Sequence, residues 1–333
     1  MWTIILYSMN AMSRPKQPIV GVDLGGTKIS AILADAGGNI VARDLRDTLA
    51  QEGPEAVIRR IIECIKQVAT GADIAGIGIG AAGTCEASTG IVASSPHLPG
   101  WRNVPLKDII QREFGLPTYL DNDANAAVLG EHYFGAGVGI DNLIYVTVST
   151  GIGGGLIIDG KIYRGTSGSA GEIGHMTIDV NGPRCDCGNI GCWETLASGT
   201  ALAREAVRQI EAGAQTNILS FAQGDLKEVS AKTVFLAAQQ GDRLANDLIS
   251  RTGYYVGVGL VNLVNIFNPE LILIGGGLSQ MGQLLLDPAL RVVEERAFEL
   301  PARAVRIEIA RLGADAGVLG AVALFLQEKS KGR

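Results

Sequence analysis

The stretch Ile19-Val-Gly-Val-Asp-Leu-Gly-Gly-Thr-Lys28 decides the fold, because it places a polar glycine turn directly after a short β-branched run. Apolar alternation resumes over Ile29–Ala34, and a third run covers Ile40–Arg43 after another glycine pair. This pattern predicts a three-stranded meander. The first turn carries a carboxylate, two glycines, a hydroxyl and an ammonium group. That combination favours a turn that wraps phosphate groups beside a metal ion, and a plain hairpin turn is the alternative.

A second stretch repeats this order later in the chain. The apolar run Leu143–Val148 leads into Ser149-Thr-Gly-Ile-Gly-Gly-Gly155, and Gly160-Lys-Ile162 then takes the place of Gly38-Asn-Ile40. Such a repeat favours an internal duplication with one phosphate turn in each half. The chain has 333 residues, and single cores rarely grow beyond roughly 250 to 300 residues. We therefore expect two α/β lobes.

Composition and charge narrow the class of partner. The formal net charge is −6, the sequence pI is about 5.2, and the lysines and arginines form no basic run. A nucleic-acid surface is therefore not expected. The 45 glycines cluster at the ends of apolar runs, as in proteins whose backbone amides approach phosphates. We expect small-molecule partners that include a nucleotide.

Neither a membrane segment nor a secretion signal is predicted. The apolar run Trp2–Tyr7 is only six residues long and lacks both a positive region and a cleavage site. Cys64 and Cys85 lie in apolar or small-residue surroundings, which indicates buried thiols rather than a disulfide. These features predict a reducing, cytoplasmic location. Residues 1–11 are interpreted as a disordered or misassigned extension.

The segment Glu172–Glu194 concentrates metal-binding side chains. It contains one histidine and three of the five cysteines, namely His175, Cys185, Cys187 and Cys192. Three thiolates and one imidazole complete a tetrahedral ligand set for a structural zinc ion. The alternative is a loop with a chance disulfide or free thiols. Zinc would fix the histidine, leave its second ring nitrogen to face a ligand, and place Glu172 and Glu194 on either side.

Polar residues follow a predicted strand at Asp121-Asn-Asp-Ala-Asn125. The strand covers Pro117–Leu120, and an alanine-rich helix continues toward Phe134. Asp and Asn commonly cap helices, which would account for one or two of these residues. A carboxylate at the carboxyl end of a strand is also well placed to act as a general base, because the crevice of a doubly wound sheet lies there. The pattern favours Asp123 for that role.

Other segments predict scaffold or leave two interpretations open. The periodicity predicts a helix from Pro54 to Val68, a strand over Ile74–Gly80 and a helix over Thr195–Glu211. Asn103 stands in a proline-rich loop, where a role in a turn is the more common one. Gly275-Gly276-Gly277 follows an aliphatic strand and either admits a flat purine or simply makes a turn.

Taken together, five motifs closely resemble the ROK family of bacterial sugar kinases and sugar-responsive repressors. The motifs are Asp23-Leu-Gly-Gly-Thr-Lys28, Asp121-Asn-Asp-Ala-Asn125, Ser149-Thr-Gly-Ile-Gly-Gly-Gly155, Glu172-Ile-Gly-His175 and Cys185-x-Cys-Gly-x-x-Gly-Cys192. The resemblance covers residues 19 to about 325 and is strongest to the ATP-dependent glucokinases of the family. No motif position departs from the family pattern.

The resemblance implies an α/β, two-lobed fold of the actin-like and hexokinase-like ATPase class (ribonuclease H-like) with an inter-lobe cleft. We expect a disordered N-terminal extension over residues 1–17 and a smaller lobe over 18–122, completed by the C-terminal helix 315–333. The larger lobe would cover 123–314 and include the zinc loop 175–192. The expected assembly is a homodimer or homotetramer.

The resemblance also implies a role for each site residue. Asp123 would be the catalytic base, and it would bind the sugar together with Asn103, Asn122, Glu172, His175 and Glu194. Asp23 would hold magnesium. ATP would contact three turns, formed by Asp23, Gly25, Gly26, Thr27 and Lys28, by Thr150 and Gly151, and by Gly275, Gly276 and Gly277 against the adenosine. The implied reaction is phosphorylation of the 6-hydroxyl of glucose to give glucose 6-phosphate.

Related functions stay open at this point. Substrate preference varies among family members that keep every motif, so N-acetylmannosamine, N-acetylglucosamine, mannose and fructose are alternatives, and polyphosphate could replace ATP. A sugar-sensing transcriptional regulator is the alternative from another class. Such regulators carry an extra helix-turn-helix domain before the first strand, whereas 18 residues precede Ile19 here and no basic recognition helix is found elsewhere.

Overall fold

The computed structural model describes residues 15–331, which form two compact α/β units. Unit 1 contains the described residues up to Phe134 and those from Asp315 onward, and unit 2 contains Gly135–Ala314. Residues 1–14 of the predicted N-terminal extension lie outside the described residues. None of the described helices is long and apolar enough to cross a membrane.

Unit 1 is built on the predicted meander. Its strands are β1 (Ile19–Leu24), β2 (Lys28–Ala34), β3 (Ile40–Asp47), β4 (Ile77–Ala81), β5 (Thr84–Glu86), β6 (Ile91–Ser94), β7 (Arg102–Val104) and β8 (Thr118–Asn122). Its first helices are α1 (Pro54–Val68), α2 (Leu106–Phe114) and α3 (Asp123–Phe134). The main sheet has the order β3-β2-β1-β4-β8, and β5, β6 and β7 form a second, small sheet. The meander is antiparallel, whereas β1, β4 and β8 are parallel.

Unit 2 repeats this arrangement. Its strands are β9 (Leu143–Val148), β10 (Ile152–Ile158), β11 (Lys161–Ile162), β12 (Leu271–Gly275) and β13 (Arg306–Ile309). Its helices are α4 (Trp193–Ala197), α5 (Gly199–Glu211), α6 (Ile218–Phe221), α7 (Ala231–Gln239), α8 (Arg243–Phe267), α9 (Gln283–Arg296) and α10 (Glu299–Ala304). The sheet order is β11-β10-β9-β12-β13, with β9, β12 and β13 parallel. The meander is therefore found twice, as the repeated sequence pattern predicted, and in each unit two further parallel strands extend the sheet.

Each unit has its own apolar core. In unit 1 the helix α1 begins at Pro54, whose fixed φ suits the first helical position. Val57, Ile61 and Ile65 recur at intervals of four residues on one face of this helix and are fully buried against the sheet. The spacing of apolar residues therefore accounts for both the helix and the face that it buries.

The C-terminal helix α11 (Ala316–Lys331) packs against α3 and against β1 and β4. Two glycines permit this close approach. A Cβ atom at Gly78 would lie 1.8 Å from the carbonyl oxygen of Ala321, and one at Gly320 would lie 1.8 Å from that of Ala126. Because this contact holds α3 in unit 1, the boundary predicted between residues 122 and 123 is one helix too early.

Two further predictions need correction. The segment Thr195–Glu211 is not one helix, because Ser198 has extended backbone between α4 and α5 and its hydroxyl caps α5 by accepting a hydrogen bond from the Ala201 amide. Asn103 lies in the short strand β7 rather than in a loop, with a φ of 51°. Cys64 and Cys85 are buried free thiols, as predicted.

Asp242 fixes the start of α8 in unit 2. Its Oδ1 accepts a hydrogen bond from the Ala245 amide at 2.9 Å, and its Oδ2 accepts from the Asn217 amide at 2.6 Å and the Thr216 hydroxyl at 2.9 Å. Burial disfavours the charged carboxylate, but these donors outweigh burial and hold the pKa of Asp242 below its usual value. The ionised carboxylate therefore stabilises unit 2.

We expect Asp242→Ala to lower the free energy of unfolding by about 1–3 kcal/mol at neutral pH, because it leaves one buried and two partly buried donors without this acceptor. Asp242→Asn keeps one acceptor oxygen and should cost less. Because the folded pKa is depressed, the wild-type advantage should be full above about pH 5 and should be lost as the pH falls through the folded pKa. Urea unfolding at several pH values measures this. Asp247→Ala, whose carboxylate is 71% exposed on the same helix, is the control, and an equal loss there would contradict the role of Asp242.

Candidate active site

The carboxyl ends of the parallel strands in unit 1 carry the predicted site carboxylates. Asp23 lies near the end of β1, and β8 continues two residues further than predicted, through Asp121 and Asn122. Gly80 of β4 pairs with Asp23 on one side and with Asp121 on the other. Asp123 follows directly as the first residue of α3. Burial, and secondly the Asp123 carboxylate, raise the pKa of Asp23 to about 7.

Asp123 is the second perturbed carboxylate of this edge. Burial raises its pKa, although the Ala124 amide, 2.8 Å from Oδ1, and the charge of His97 act in the opposite direction. His97 also lies against the first glycine turn, since a Cβ atom at Gly26 would be 2.6 Å from the His97 Cβ. Sequence reasoning missed His97. Its rarity, as one of three histidines in the chain, was the available signal.

The side chain of Asn122 makes several hydrogen bonds within unit 1. Its Oδ1 accepts hydrogen bonds from the amides of Ala124 at 2.9 Å and Asn125 at 3.3 Å, and its Nδ2 donates to the Gly83 carbonyl at 2.9 Å. The capping role that was the alternative for this motif is therefore present. The Asn122 side chain also interacts with the Asp123 carboxylate, where it opposes the effect of burial on the pKa of Asp123.

Asp121 and Asn103 differ sharply in their surroundings. The Asp121 carboxylate is buried and accepts from the Asn122 amide and from Asn125 Nδ2, both within 2.9 Å. These bonds stabilise the junction between β8 and α3, where Asp123 lies. Asn103 is exposed in β7, and among the described residues no hydrogen bond joins its side chain to Asp23, Asn122 or Asp123.

The first glycine turn, Gly25–Lys28, is held by a residue that the sequence did not single out. Thr48 is fully buried, and its hydroxyl and amide donate to the carbonyls of Gly25 and Thr27, each at 2.8 Å. The amide of Gly25 donates to the Lys28 carbonyl. Within residues 15–331, the amides of Gly26 and Thr27 donate to no protein group. They are thus available to an anionic ligand.

In unit 2 the predicted metal ligands come together. The ligand atoms of His175, Cys185, Cys187 and Cys192, called the four-donor cluster below, all lie within 4.8 Å of one another. The sulfurs of Cys187 and Cys192 are 3.7 Å apart, as are the Cys185 sulfur and His175 Nδ1. Disulfide sulfurs lie about 2.05 Å apart, so the alternative of a chance disulfide is wrong. The cluster can hold one metal ion.

The His175 ring links the cluster to a carboxylate. Its Nδ1 faces the cluster, and its Nε2 lies 3.9 Å from Oε2 of the exposed Glu172. A single 3₁₀ turn, Ile173–His175, joins the two residues. This turn packs on the start of β10, where a Cβ atom at Gly174 would lie 2.1 Å from the Ile152 carbonyl oxygen. Glu172 and His175 therefore present polar atoms side by side.

Trp193 anchors the residues that follow the cluster. Its ring is fully buried, its Nε1 donates to the Tyr255 carbonyl at 2.8 Å, and it fills the space that a side chain at Gly259 would need. The next residue, Glu194, is thereby fixed against β10. Its Oε2 accepts a hydrogen bond from the Ile152 amide at 2.8 Å. Glu194 thus lies beside the second glycine turn, Ser149–Gly151.

The triple-glycine turn lies next to the second glycine turn, because β12 pairs with β9. A Cβ atom at Gly275 would lie 2.0 Å from the Tyr145 hydroxyl, and one at Gly276 would lie 2.5 Å from the Val148 carbonyl oxygen. At Gly277 the nearest atom would be 3.6 Å away. Packing therefore accounts for the first two glycines, whereas a Cβ atom at the third would make only an ordinary van der Waals contact.

Comparison with known proteins assigns the chain to a family. A sequence model of the ROK family matches residues 19–328. The chain belongs to the ROK family. It is 39% identical over 311 residues to a glucokinase from Thermotoga maritima, covering 93% of this chain and 98% of the relative. It is 38% identical over 315 residues to a xylose repressor from Caldicellulosiruptor bescii, covering 93% of this chain and 78% of the relative.

A solved structure shares the fold of this ROK protein. It is a ROK family glucokinase from Streptomyces griseus in complex with glucose and AMPPNP, with a TM-score of 0.83 and 37% identity. The likeness covers 92% of this chain and 98% of that one. The family resemblance and the α/β sugar-kinase fold predicted from the motifs are thus confirmed.

Proposed function

We propose that the protein is an ATP-dependent kinase that phosphorylates the 6-hydroxyl of glucose. The observation that carries the proposal is the buried Asp123 carboxylate of raised pKa, next to Asp23 at the carboxyl ends of parallel strands. The 39% identity to the T. maritima glucokinase and the likeness to a glucokinase bound to glucose and AMPPNP support it.

Asp123 is assigned as the catalytic base. A raised pKa makes the carboxylate a stronger base, which suits a group that must accept a proton. Its Oδ1 accepts a hydrogen bond from the Ala124 amide, and the carboxylate is assigned to accept the proton of the sugar hydroxyl as well. As the sugar oxygen forms its bond to the γ-phosphorus, the hydroxyl proton passes to this carboxylate and the bond from phosphorus to the ADP oxygen breaks. The products are glucose 6-phosphate and ADP.

The phosphates and magnesium are assigned to the glycine turns and to Asp23. Asp23 fits a cation because its buried carboxylate lies near a second one, and a divalent ion relieves such repulsion. When bound, magnesium neutralises charge on the phosphates. The phosphate oxygens would accept hydrogen bonds from free backbone amides and from an ammonium group, contributed by Gly26, Thr27, Lys28, Thr150 and Gly151.

The sugar is assigned to the polar groups around the four-donor cluster. Glu172, His175 and Glu194 can accept or donate hydrogen bonds to hydroxyl groups, and their positions are fixed by the cluster and by Trp193. Asn122 and Asn103, which lie in unit 1, are the remaining members of the predicted set. Adenosine is assigned to the Gly275–Gly277 turn.

Zinc is the metal that fits the cluster best. Four protein donors of this kind form closed structural zinc sites. Tetrahedral zinc with Zn–S bonds of about 2.3 Å holds its sulfurs about 3.8 Å apart, close to the 3.7 Å between Cys187 and Cys192. The proposed function of the zinc ion is to keep the ring of His175 in place for the sugar.

We expect glucose to be the preferred acceptor in a coupled ADP assay over a panel of sugars. The panel should contain mannose, fructose, N-acetylglucosamine and N-acetylmannosamine, with ATP and polyphosphate as alternative donors. 6-Deoxyglucose should bind without reacting, since it lacks the attacking hydroxyl. A higher kcat/KM for another sugar would reject glucose, and sugar binding without any ADP formation would favour a sugar-sensing regulator.

A cytoplasmic location and a homodimeric or homotetrameric assembly stay predictions.

Asp123→Asn should lower kcat by about 10² to 10⁴, because the amide keeps the shape but cannot accept a proton. Glucose affinity, measured by calorimetry, should change by less than about threefold. Asp108→Asn is the matched control, as it changes an exposed carboxylate in the first turn of another helix, α2. Near-normal turnover by Asp123→Asn would place the base elsewhere.

Cys187→Ser should abolish zinc binding and raise the KM for glucose more than the KM for ATP. Structural zinc contributes roughly 10–16 kcal/mol in small peptides, so the Tm should fall as well. Elemental analysis gives the zinc content, and Cys64→Ala serves as the control because that thiol lies in α1, in unit 1. Fully active wild-type protein without zinc would rule out the assignment.

A further inference from the structure

The second glycine turn is tied to the segment that carries Glu194. The Gly199 amide donates to the Ser149 carbonyl at 2.7 Å. The Thr150 carbonyl accepts from the Thr200 hydroxyl at 2.8 Å and from its amide at 3.4 Å. Both donors belong to the first turn of α5, directly after the short helix that begins with Trp193 and Glu194. The turn is therefore held through its carbonyl oxygens.

Glu194 contacts the same turn from the other side. Its Oε2 accepts the Ile152 amide, which leaves Oε1 for a second partner. A Cβ atom at Gly151 would lie 2.2 Å from Oε2. No positive φ is recorded at Gly151, so the backbone there does not require glycine. The absence of a side chain at this position is explained by the approach of the Glu194 carboxylate.

The two glycine turns are held in the same way but by different segments. In unit 1, Thr48 donates its hydroxyl and amide to the carbonyls of the first turn. In unit 2, Thr200 donates its hydroxyl and, more weakly, its amide to one carbonyl of the second turn, that of Thr150, and the Gly199 amide holds the Ser149 carbonyl. Thr48 follows the edge strand β3, which carries none of the predicted sugar ligands. Thr200 lies six residues after Glu194, which is one of them. A direct connection between a predicted sugar residue and a phosphate turn is thus found in unit 2.

We propose that the α4–α5 segment, Glu194–Thr200, couples sugar binding to nucleotide binding. This inference rests on the proposed kinase function. Glu194 would touch the sugar through Oε1 while its Oε2 holds the Ile152 amide, and Thr200 would act as a positioning residue for the Thr150 carbonyl. A sugar that fixes Glu194 then fixes the turn whose Thr150 and Gly151 amides face the phosphates. By linkage, nucleotide binding must tighten sugar binding by the same factor.

Thr200 provides the first test. Thr200→Val removes the hydroxyl donor and should raise the KM for ATP about threefold to tenfold, the effect of losing one hydrogen bond. The dissociation constant for glucose, measured without nucleotide, should change less than about twofold. Thr200→Ser keeps the donor and should restore the ATP KM. Thr252→Val, which removes a hydroxyl bonded within α8, is the matched control and should behave as wild type.

Gly151→Ala provides the second test. The substitution lies in the phosphate turn, but its expected effect is on sugar binding. The new methyl group must displace the Glu194 carboxylate, so the dissociation constant for glucose should rise by at least about tenfold in the absence of nucleotide. Calorimetry with glucose alone, and with glucose in the presence of magnesium and AMPPNP, measures this. In wild type the nucleotide should tighten glucose binding at least about fivefold, and in Gly151→Ala that gain should fall below about twofold.

The outcomes separate this inference from the proposed function. If wild-type protein forms no ADP with any sugar, the proposed function fails. If wild type phosphorylates glucose but its glucose affinity does not respond to nucleotide, the coupling is absent. An unchanged ATP KM in Thr200→Val, or unchanged glucose binding in Gly151→Ala, would likewise overturn it. Equal loss of Tm and of both affinities in Thr200→Val and Thr200→Ser would show a merely structural role.

Discussion

A tight glycine turn exposes backbone amides that need an acceptor. In this protein the amides of Gly26 and Thr27 in one turn, and of Thr150 and Gly151 in the other, find no acceptor among the described residues. Thr48 and Thr200 each bind the carbonyl side of a turn with a hydroxyl and an amide. The carbonyl side is therefore fixed while the amide side stays free. In the proposed function, these amides form an anion site before any ligand arrives, so binding does not bear the cost of ordering a loop.

The carboxylates show how the supply of donors sets both stability and chemistry. Asp242 is buried among preformed donors, so its charged form is favoured and unit 2 gains stability. Asp23 and Asp123 are buried close to each other with few donors, so their charged forms are disfavoured. An aspartate carboxylate thus stabilises the fold of unit 2. In unit 1, the charged carboxylates are themselves destabilised, and a bound ligand can stabilise them.

Local patterns in the sequence predicted more than contacts between distant segments. The meander follows from apolar alternation, α1 from helical periodicity, and the four-donor cluster from the spacing of its residues. All three patterns are properties of neighbouring residues. The assignment of α3 to unit 1 depends on α11, almost two hundred residues later. Thr48, His97 and Thr200 belong to no motif, because their roles come from carbonyls and carboxylates that only the fold brings to them. Likewise, the helix breaks at Ser198, and the residues directly after the break bind a turn about fifty residues earlier in the chain.

The placement of α11 has a consequence for synthesis on the ribosome. Domains usually fold in the order in which they emerge, but the first strands of unit 1 face a helix that follows unit 2 in the sequence. All of unit 2 emerges before that helix does. Until then, the glycine-lined faces of β1 and β4 lack their partner, so the half of the protein that is translated first is the half that is completed last.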